Sequence, residues 1–234
     1  MTSCVRTPTI GLLLSGGLDS AILLGHLLEQ GERVQPFYVR SGLCWQEAEL
    51  AAVNEFAAAM ARPALRPLKT IELPLADVYG GHWCVTGEHV PDADSPDEAV
   101  FLPGRNVLLV IKAALWCQLN QVPVLALGTL GSNPFADATP AFFDDVETAL
   151  NRGVGSRLKI VRPFERLDKR QVMELGRGYP LGLTFSCIAP RGQQHCGRCN
   201  KCAERQAAFA MLGPEDPTRY AQPAAARRYD QLAS

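Results

Sequence analysis

The run Thr9 to Leu14 is apolar after its threonine and stops at a serine–glycine turn, the pattern of a strand buried on both faces. Beyond the turn, Ala21 to Gly31 places apolar residues at helical spacing, and Gly31 is positioned to end that helix in the left-handed conformation. The alternation continues with Val34 to Val39 as strand, Trp45 to Met60 as helix and Leu68 to Leu73 as strand. Asn106 to Asn120 then reads as helix and Val122 to Thr129 as strand. Strands alternating with helices predict parallel pairing through crossovers, hence an α/β fold with a doubly wound, mostly parallel sheet. Two short helices are expected further on, in Asp168 to Gly178 and Lys201 to Leu212.

Periodicity fades between Asp77 and Gly104, a stretch longer than an ordinary connection, and the expectation there is a lid or substrate loop. Gly131 to Pro140 has the same character and follows a strand, where open α/β sheets place their ligand crevices. The expected organisation is a nucleotide-binding α/β unit over residues 1–180, a cysteine-rich segment with a closing helix over 181–213, and a tail over 214–234 that is an arm or partly mobile.

Composition narrows the function. The 234 residues are 47% hydrophobic with a formal net charge of -1, enough for a substantial core and without a basic tract for nucleic acid. A small-molecule substrate is expected, with no nucleic-acid or membrane partner. The apolar stretch Ile10 to Leu14 is too short for a span or a signal sequence, so the expected location is the cytoplasm. Of eight cysteines, four crowd into Cys187 to Cys202 while Cys4, Cys44, Cys84 and Cys117 are scattered, which suggests metal ligation in a reducing compartment.

Two motifs carry chemistry. Ser15-Gly16-Gly17-Leu18-Asp19-Ser20 lies between a predicted strand and a predicted helix, where glycines let the backbone approach an anion and a helix N-terminus offers unpaired N–H groups. The ending differs from the Walker loop and from the dinucleotide fingerprint. The pattern SGGxDS resembles the PP-loop of the ATP pyrophosphatases, which split ATP into AMP and pyrophosphate. Asp19 is suited to hold Mg²⁺ or to cap the helix, and a tight capped turn is the structural alternative. Cys187, Cys196, Cys199 and Cys202 read C-x8-C-x2-C-x2-C, which fits one tetrahedral Zn²⁺ in a closed structural site. An iron–sulfur cluster is the competing occupant. His195, beside Cys196, is expected to be a bystander.

With both motifs placed, the chain resembles the 7-cyano-7-deazaguanine synthases. The residues that carry the likeness are SGGLDS, Pro103-Gly104-Arg105-Asn106, and the segment Ser186 to Phe209 with its cysteines and the ER-x3-F pattern at Glu204, Arg205 and Phe209. The resemblance implies an adenine nucleotide α-hydrolase-like fold, a zinc-binding C-terminal segment and a homodimer. It also implies a ligase that adenylates a 7-deazapurine carboxylate, condenses it with ammonia and dehydrates the amide to the nitrile. The catalytic candidates are Ser15, Asp19, Ser20 and Arg105. The nucleotide set is Leu14, Ser15, Gly16, Gly17, Leu18, Asp19, Ser20, Arg105, Asn106 and Gly128, with ATP, Mg²⁺ and Zn²⁺ as cofactors.

The chain departs from the family pattern in two places. Arg40 to Gln46 replaces a Tyr-Gly-Gln stretch, and Thr139 stands where an arginine is expected in the segment holding the candidate substrate contacts Asn133, Phe135 and Asp137. Lys112, Lys159, Arg162 and Lys169 all qualify as a further pyrophosphate contact. Cys44 and Trp45 read as a packed pair rather than a nucleophile and its neighbour. His82 and His89, with Asp92, Asp94 and Asp97, read as solvated loop polarity rather than as a second metal site. Three other functions fit the loop: a paralogue that adenylates a different carboxylate for amidation, a sulfur-transfer enzyme using a catalytic cysteine, or a silent nucleotide-binding partner.

Overall fold

The computed structural model describes residues 8–213 and 215–222. Strands β1 (Thr9–Leu13), β2 (Arg33–Arg40), β3 (Lys69–Glu72), β4 (Val124–Ala126) and β5 (Lys159–Val161) form one sheet in the order β3-β2-β1-β4-β5, with every pair parallel. The helices are α1 (Leu18–Glu29), α2 (Gln46–Ala59), α3 (Ala76–Tyr79), α4 (Trp83–Thr86), α5 (Arg105–Leu119), α6 (Pro140–Val154), α7 (Lys169–Leu175) and α8 (Asn200–Ala210). The chain reverses direction across the sheet between β1 and β4, so the crevice above their carboxyl ends is the natural ligand position.

The doubly wound reading holds, and side-chain alternation shows why. Leu12, Leu14, Val34 and Tyr38 point into a core shared with α1, α2 and α7, while Phe37 joins Val110, Ala114 and Leu125 in a core under α5 and α6. Strands buried on both faces produce the apolar runs from which they were predicted. A third cluster gathers Leu43, Trp45, Cys84, Leu102 and Phe185 around Cys187, Cys196, Cys199 and Cys202.

Besides the short α3 and α4, two elements escape the sequence pattern. Helix α6 starts at a Thr139 cap, whose Oγ1 accepts the Phe142 N–H at 3.2 Å, with Pro140 in its first turn. Strand β5 spans three residues, too few for a period to show.

The expected lid between Asp77 and Gly104 is tied down. It forms α3 and α4, pairs Asp92 with Cys199 as an isolated bridge, and receives the Asn200 amide on Ser95 O at 2.9 Å. Asn200 N–H also donates to Pro91 O at 3.1 Å. The cysteine segment thus supplies the partners that a free loop would take from water.

Arg205, fully buried, fixes the same region from the other side. Its guanidinium donates to Thr218 Oγ1 at 2.7 Å, Thr184 Oγ1 at 2.7 Å and Leu181 O at 2.9 Å, and lies 5.1 Å from the Phe209 ring centre. Within the expected tail, Thr218 thus meets Arg205, Tyr220 packs against His195, and residues 214 and 223–234 lie outside the described residues. Replacing Arg205 by Ala strands two buried acceptors, Thr184 Oγ1 and Leu181 O, and a half-buried one at Thr218. The expected cost is about 3 kcal/mol, a fall in Tm of roughly 6–12 °C, measured by calorimetry.

Candidate nucleotide and metal sites

The glycine loop sits at the carboxyl end of β1. Gly16 has φ 81°, in the left-handed region that glycine tolerates. A side chain there would also press on Glu49 Cγ and Val53 Cγ2, both 3.0 Å from an added Cβ. The Ser15 N–H donates to Ser20 Oγ at 3.2 Å, and the Ser20 hydroxyl donates to Gly17 O at 3.2 Å, so the serines shape the turn. No side chain caps α1, whose first residue follows Gly17 directly. The capped-turn alternative therefore fails: neither Asp19 nor Ser20 fills the cap, and the uncapped helix end leaves its N–H groups available to an anion.

Gly128 closes the loop from β4. A Cβ there would lie 2.9 Å from both Asp19 C and Ser20 N, so only glycine lets the strand end approach the helix start. Phe185 N–H donates to Gly16 O at 2.7 Å, fastening the loop to the chain that leads into Cys187. Leu14 and Leu18 are buried beneath.

Lys169 is the cation the loop receives. From the start of α7 its Nζ pairs with Asp19 Oδ1 at 2.6 Å. Lys159 instead pairs with Glu147 at 2.7 Å and Arg162 with Glu165 at 2.6 Å, which separates Lys169 from those two candidates. Lys112 is exposed on α5.

Arg105 and Asn106 open α5 across the crevice. The helix has Gly104 as its N-cap residue, so Asn106 is no cap. Its backbone N–H donates to Asp137 Oδ2 at 3.2 Å and its amide to Asp137 O at 3.0 Å. Arg105 Nε is buried without a hydrogen-bond partner, an orphan donor of the kind that marks a ligand position. Asp137 is buried, Phe135 lies 5.1 Å from Phe101 ring to ring, and Asn133 Oδ1 accepts the Phe135 N–H at 3.0 Å.

One residue near the loop was missed. Glu49, in the first turn of α2, accepts the Tyr38 hydroxyl on Oε2 at 2.8 Å. Burial pushes its carboxyl up to about 7, opposed by the Arg105 charge and by hydrogen bonds from Tyr38 and Trp45. Its only signal in the sequence is an acidic side chain in a helix's first turn, which macrodipole stabilisation already explains.

Cys44 and Trp45 divide. Trp45 is buried and stacks at 5.8 Å on Trp83, as expected of a packed residue, whereas Cys44 is exposed. Desolvation raises the Cys44 thiol above its ordinary value, which disfavours the thiolate a nucleophile needs.

The four C-terminal cysteines converge. Their sulfurs lie within 4.8 Å of one another, with Cys187 to Cys199 at 3.9 Å and Cys196 to Cys202 at 3.8 Å. A tetrahedral zinc with bonds of about 2.3 Å sets its ligand sulfurs about 3.8 Å apart. A four-iron cluster would need them wider, so the spacing fits one zinc ion. Backbone N–H groups of Cys196 and Ala189 point at Cys187 Sγ, at 3.2 Å and 3.4 Å, and stabilise a thiolate there. His195 is not a ligand. Its Nε2 accepts the Ser186 N–H at 3.1 Å, and burial lowers its pKa to about 3, keeping the ring neutral. Among the described residues these cysteines are the one group of three or more such side chains able to hold an ion, so His82, His89 and the nearby aspartates form no second site.

The family profile described as queuosine biosynthesis protein QueC matches residues 10–213, which takes in both the loop and the cysteines. The chain belongs to the QueC family. Among QueC relatives, the 7-cyano-7-deazaguanine synthase 1 of Desulfitobacterium hafniense (strain Y51) is 30% identical over 205 residues, covering 86% of this chain and 90% of that one. The 7-cyano-7-deazaguanine synthase of Xanthomonas oryzae pv. oryzae (strain PXO99A) is 33% identical over 221 residues, covering 90% and 96%. Among solved structures, a 4-thiouridine synthetase in complex with RNA and ATP superposes with a TM-score of 0.49 at 16% identity, over 88% of this chain and 50% of that one. No helix among the described residues is long and apolar enough to cross a membrane.

Proposed function

We propose that this QueC-family protein is an ATP-dependent carbon–nitrogen ligase that converts 7-carboxy-7-deazaguanine and ammonia into 7-cyano-7-deazaguanine, releasing AMP and pyrophosphate. Family membership and the names of the relatives support the reaction. Within the fold, one observation carries the reading: an uncapped, glycine-built helix start whose Asp19 is paired with Lys169, with an orphaned Arg105 donor at the head of α5.

The chemistry follows from charge placement. The substrate carboxylate attacks the α-phosphorus of ATP, and pyrophosphate leaves toward the N–H groups of Gly17 to Ser20 and Lys169. Arg105 grips the adenylate from the opposite wall, where a guanidinium can hold an anion through two parallel hydrogen bonds. Ammonia attacks the acyl carbon and AMP leaves, giving the amide. The amide oxygen then attacks the α-phosphorus of a second ATP, pyrophosphate leaves and one N–H proton is shed, and loss of AMP with the remaining N–H proton gives the nitrile. Bound Mg²⁺, with Asp19 as its protein ligand, would neutralise the departing pyrophosphate. Zinc at the four cysteines is structural, since a closed Cys4 set leaves no position for substrate.

The deazapurine is assigned to the wall formed by Phe135 and Asp137, beside Asn133. Thr139 caps α6 in place of the arginine expected there, so a substrate carboxylate must find its cation at Arg105 instead. A homodimer in the cytoplasm and the division at residue 180 belong to the same proposal. Sulfur transfer is disfavoured, because Cys44, the exposed cysteine among the described residues, has its thiol pushed up rather than down.

The test follows AMP during incubation with ATP, Mg²⁺, ammonium and 7-carboxy-7-deazaguanine. AMP above the substrate-free control, dependent on ammonium for turnover and indifferent to a persulfide donor, supports the ligase. AMP at the control level contradicts it.

A further inference from the structure

We infer that Glu49 is the proton acceptor of the nitrogen-transfer steps, reaching the phosphate loop from the first turn of α2. The assignment rests on the ligase reading and adds to it the residue that removes protons from nitrogen.

The placement is specific. The Glu49 side chain runs directly against the loop, its Cγ 3.0 Å from where a Gly16 Cβ would stand. Tyr38 holds the carboxylate from β2, donating its one hydroxyl proton to Oε2 at 2.8 Å, so the acid cannot swing away without breaking a fixed donor. Arg105 approaches from α5 on the other face of the sheet, close enough to act on Glu49 by charge, yet its Nε keeps no hydrogen-bond partner. Loop, acid and guanidinium therefore meet over the carboxyl ends of β1 and β2.

A carboxylate in that position opposes triphosphate binding, because like charges repel strongly where water is scarce. Binding alone gives no reason for it, whereas proton removal does. When ammonia adds to the acyl adenylate, the C–N bond forms, the nitrogen becomes cationic, and it must lose a proton before AMP departs with the C–O electron pair. When the amide oxygen attacks the second ATP, pyrophosphate leaves and one N–H proton is shed. Breaking the C–O bond to AMP then releases the last N–H proton as the triple bond forms. Each proton passes to the Glu49 carboxylate and on to solvent, so charge and atoms balance without another reactant.

A base with a pKa close to working pH is the most effective compromise between being ionised and holding a proton. Burial brings Glu49 to about 7, and the charged or titratable groups facing it are Tyr38 on β2 and Arg105 on α5. The base form is lost as pH falls through that value, so nitrogen transfer should fall on the acid side of about 7.

The experiment compares two half-reactions. Carboxylate-dependent exchange of labelled pyrophosphate into ATP reports adenylation without ammonia, and nitrile formation reports the nitrogen steps. Glu49→Gln should keep exchange within about 3-fold, lower amide and nitrile formation by roughly 10²–10⁴-fold and, with free ammonia held constant across the pH series, abolish the acid limb near pH 7. Glu49→Asp, which keeps the charge but shortens its reach, should recover part of the rate and keep the limb. Equal loss of exchange and nitrile in Glu49→Gln would overturn the assignment and make Glu49 a positioning residue for Arg105. Exchange that is lost but recovered at raised Mg²⁺ would overturn it in favour of a metal ligand. Wild-type protein lacking exchange would overturn the ligase reading itself.

Discussion

Protein carrying Cys202→Ala is expected to hold less than a tenth of an equivalent of zinc and to lose most of its cooperative fold. Cys202 is fully buried in the third core cluster, 3.8 Å from Cys196, and is one of four thiols grouped where they could hold an ion. Structural zinc contributes about 10–16 kcal/mol of apparent binding energy to small domains, as much as a typical domain's entire stability of roughly 5–15 kcal/mol. The damage should spread along named connections. Cys199 pairs with Asp92, and Asn200 holds Pro91 and Ser95, so residues 77–104 lose their anchor. Phe185, two residues before Cys187, donates to Gly16 O, so the phosphate loop loses a support as well. Elemental analysis with thermal melting checks the claim, with Cys44→Ser as a control expected to keep its zinc and its Tm. A full equivalent of zinc in Cys202→Ala would remove Cys202 from the ligand set, and an unchanged Tm together with zinc-free wild-type protein would show that the four thiols are core residues and nothing more.

Lys169→Met is expected to lower AMP formation by roughly 10²–10³-fold while leaving the fold intact, the usual loss when one preorganised donor is removed from developing charge. In the free protein Lys169 neutralises Asp19 at 2.6 Å, with both side chains about a third exposed. Such an exposed pair is worth at most about 1 kcal/mol to stability, so Tm should move by no more than a few degrees. When pyrophosphate forms, the same ammonium lies at the mouth of the loop where negative charge accumulates. Lys159→Met is the matched control, because its partner Glu147 lies on α6, away from the loop. Steady-state kinetics with both variants separates the roles: equal rates would remove Lys169 from catalysis.

Much of this architecture was legible because the central strands are buried on both faces. Ile10 to Leu14 and Val34 to Val39 could be read without a partner in view, as could the glycines and cysteines whose spacing has a direct chemical meaning. Helix α6 was hidden differently. Its apolar stripe was present, but the Pro140 that starts it reads equally well as the end of a loop. Lys169 was one candidate among four until the fold brought it to Asp19 across 150 positions. Glu49 needed Tyr38, Gly16 and Arg105 around it before its charge meant anything, and those residues come from three different elements. Long-range juxtaposition of this kind leaves no local period, which is why the anchoring of residues 77–104 also escaped the pattern.

The central claim is tested most directly by mass spectrometry of the base formed from 7-carboxy-7-deazaguanine, ATP, Mg²⁺ and ¹⁵N-labelled ammonium, with AMP counted in the same sample. The expected result is a nitrile base carrying one ¹⁵N, accompanied by twice as much AMP. Unchanged carboxylate with AMP at the substrate-free level would contradict the account.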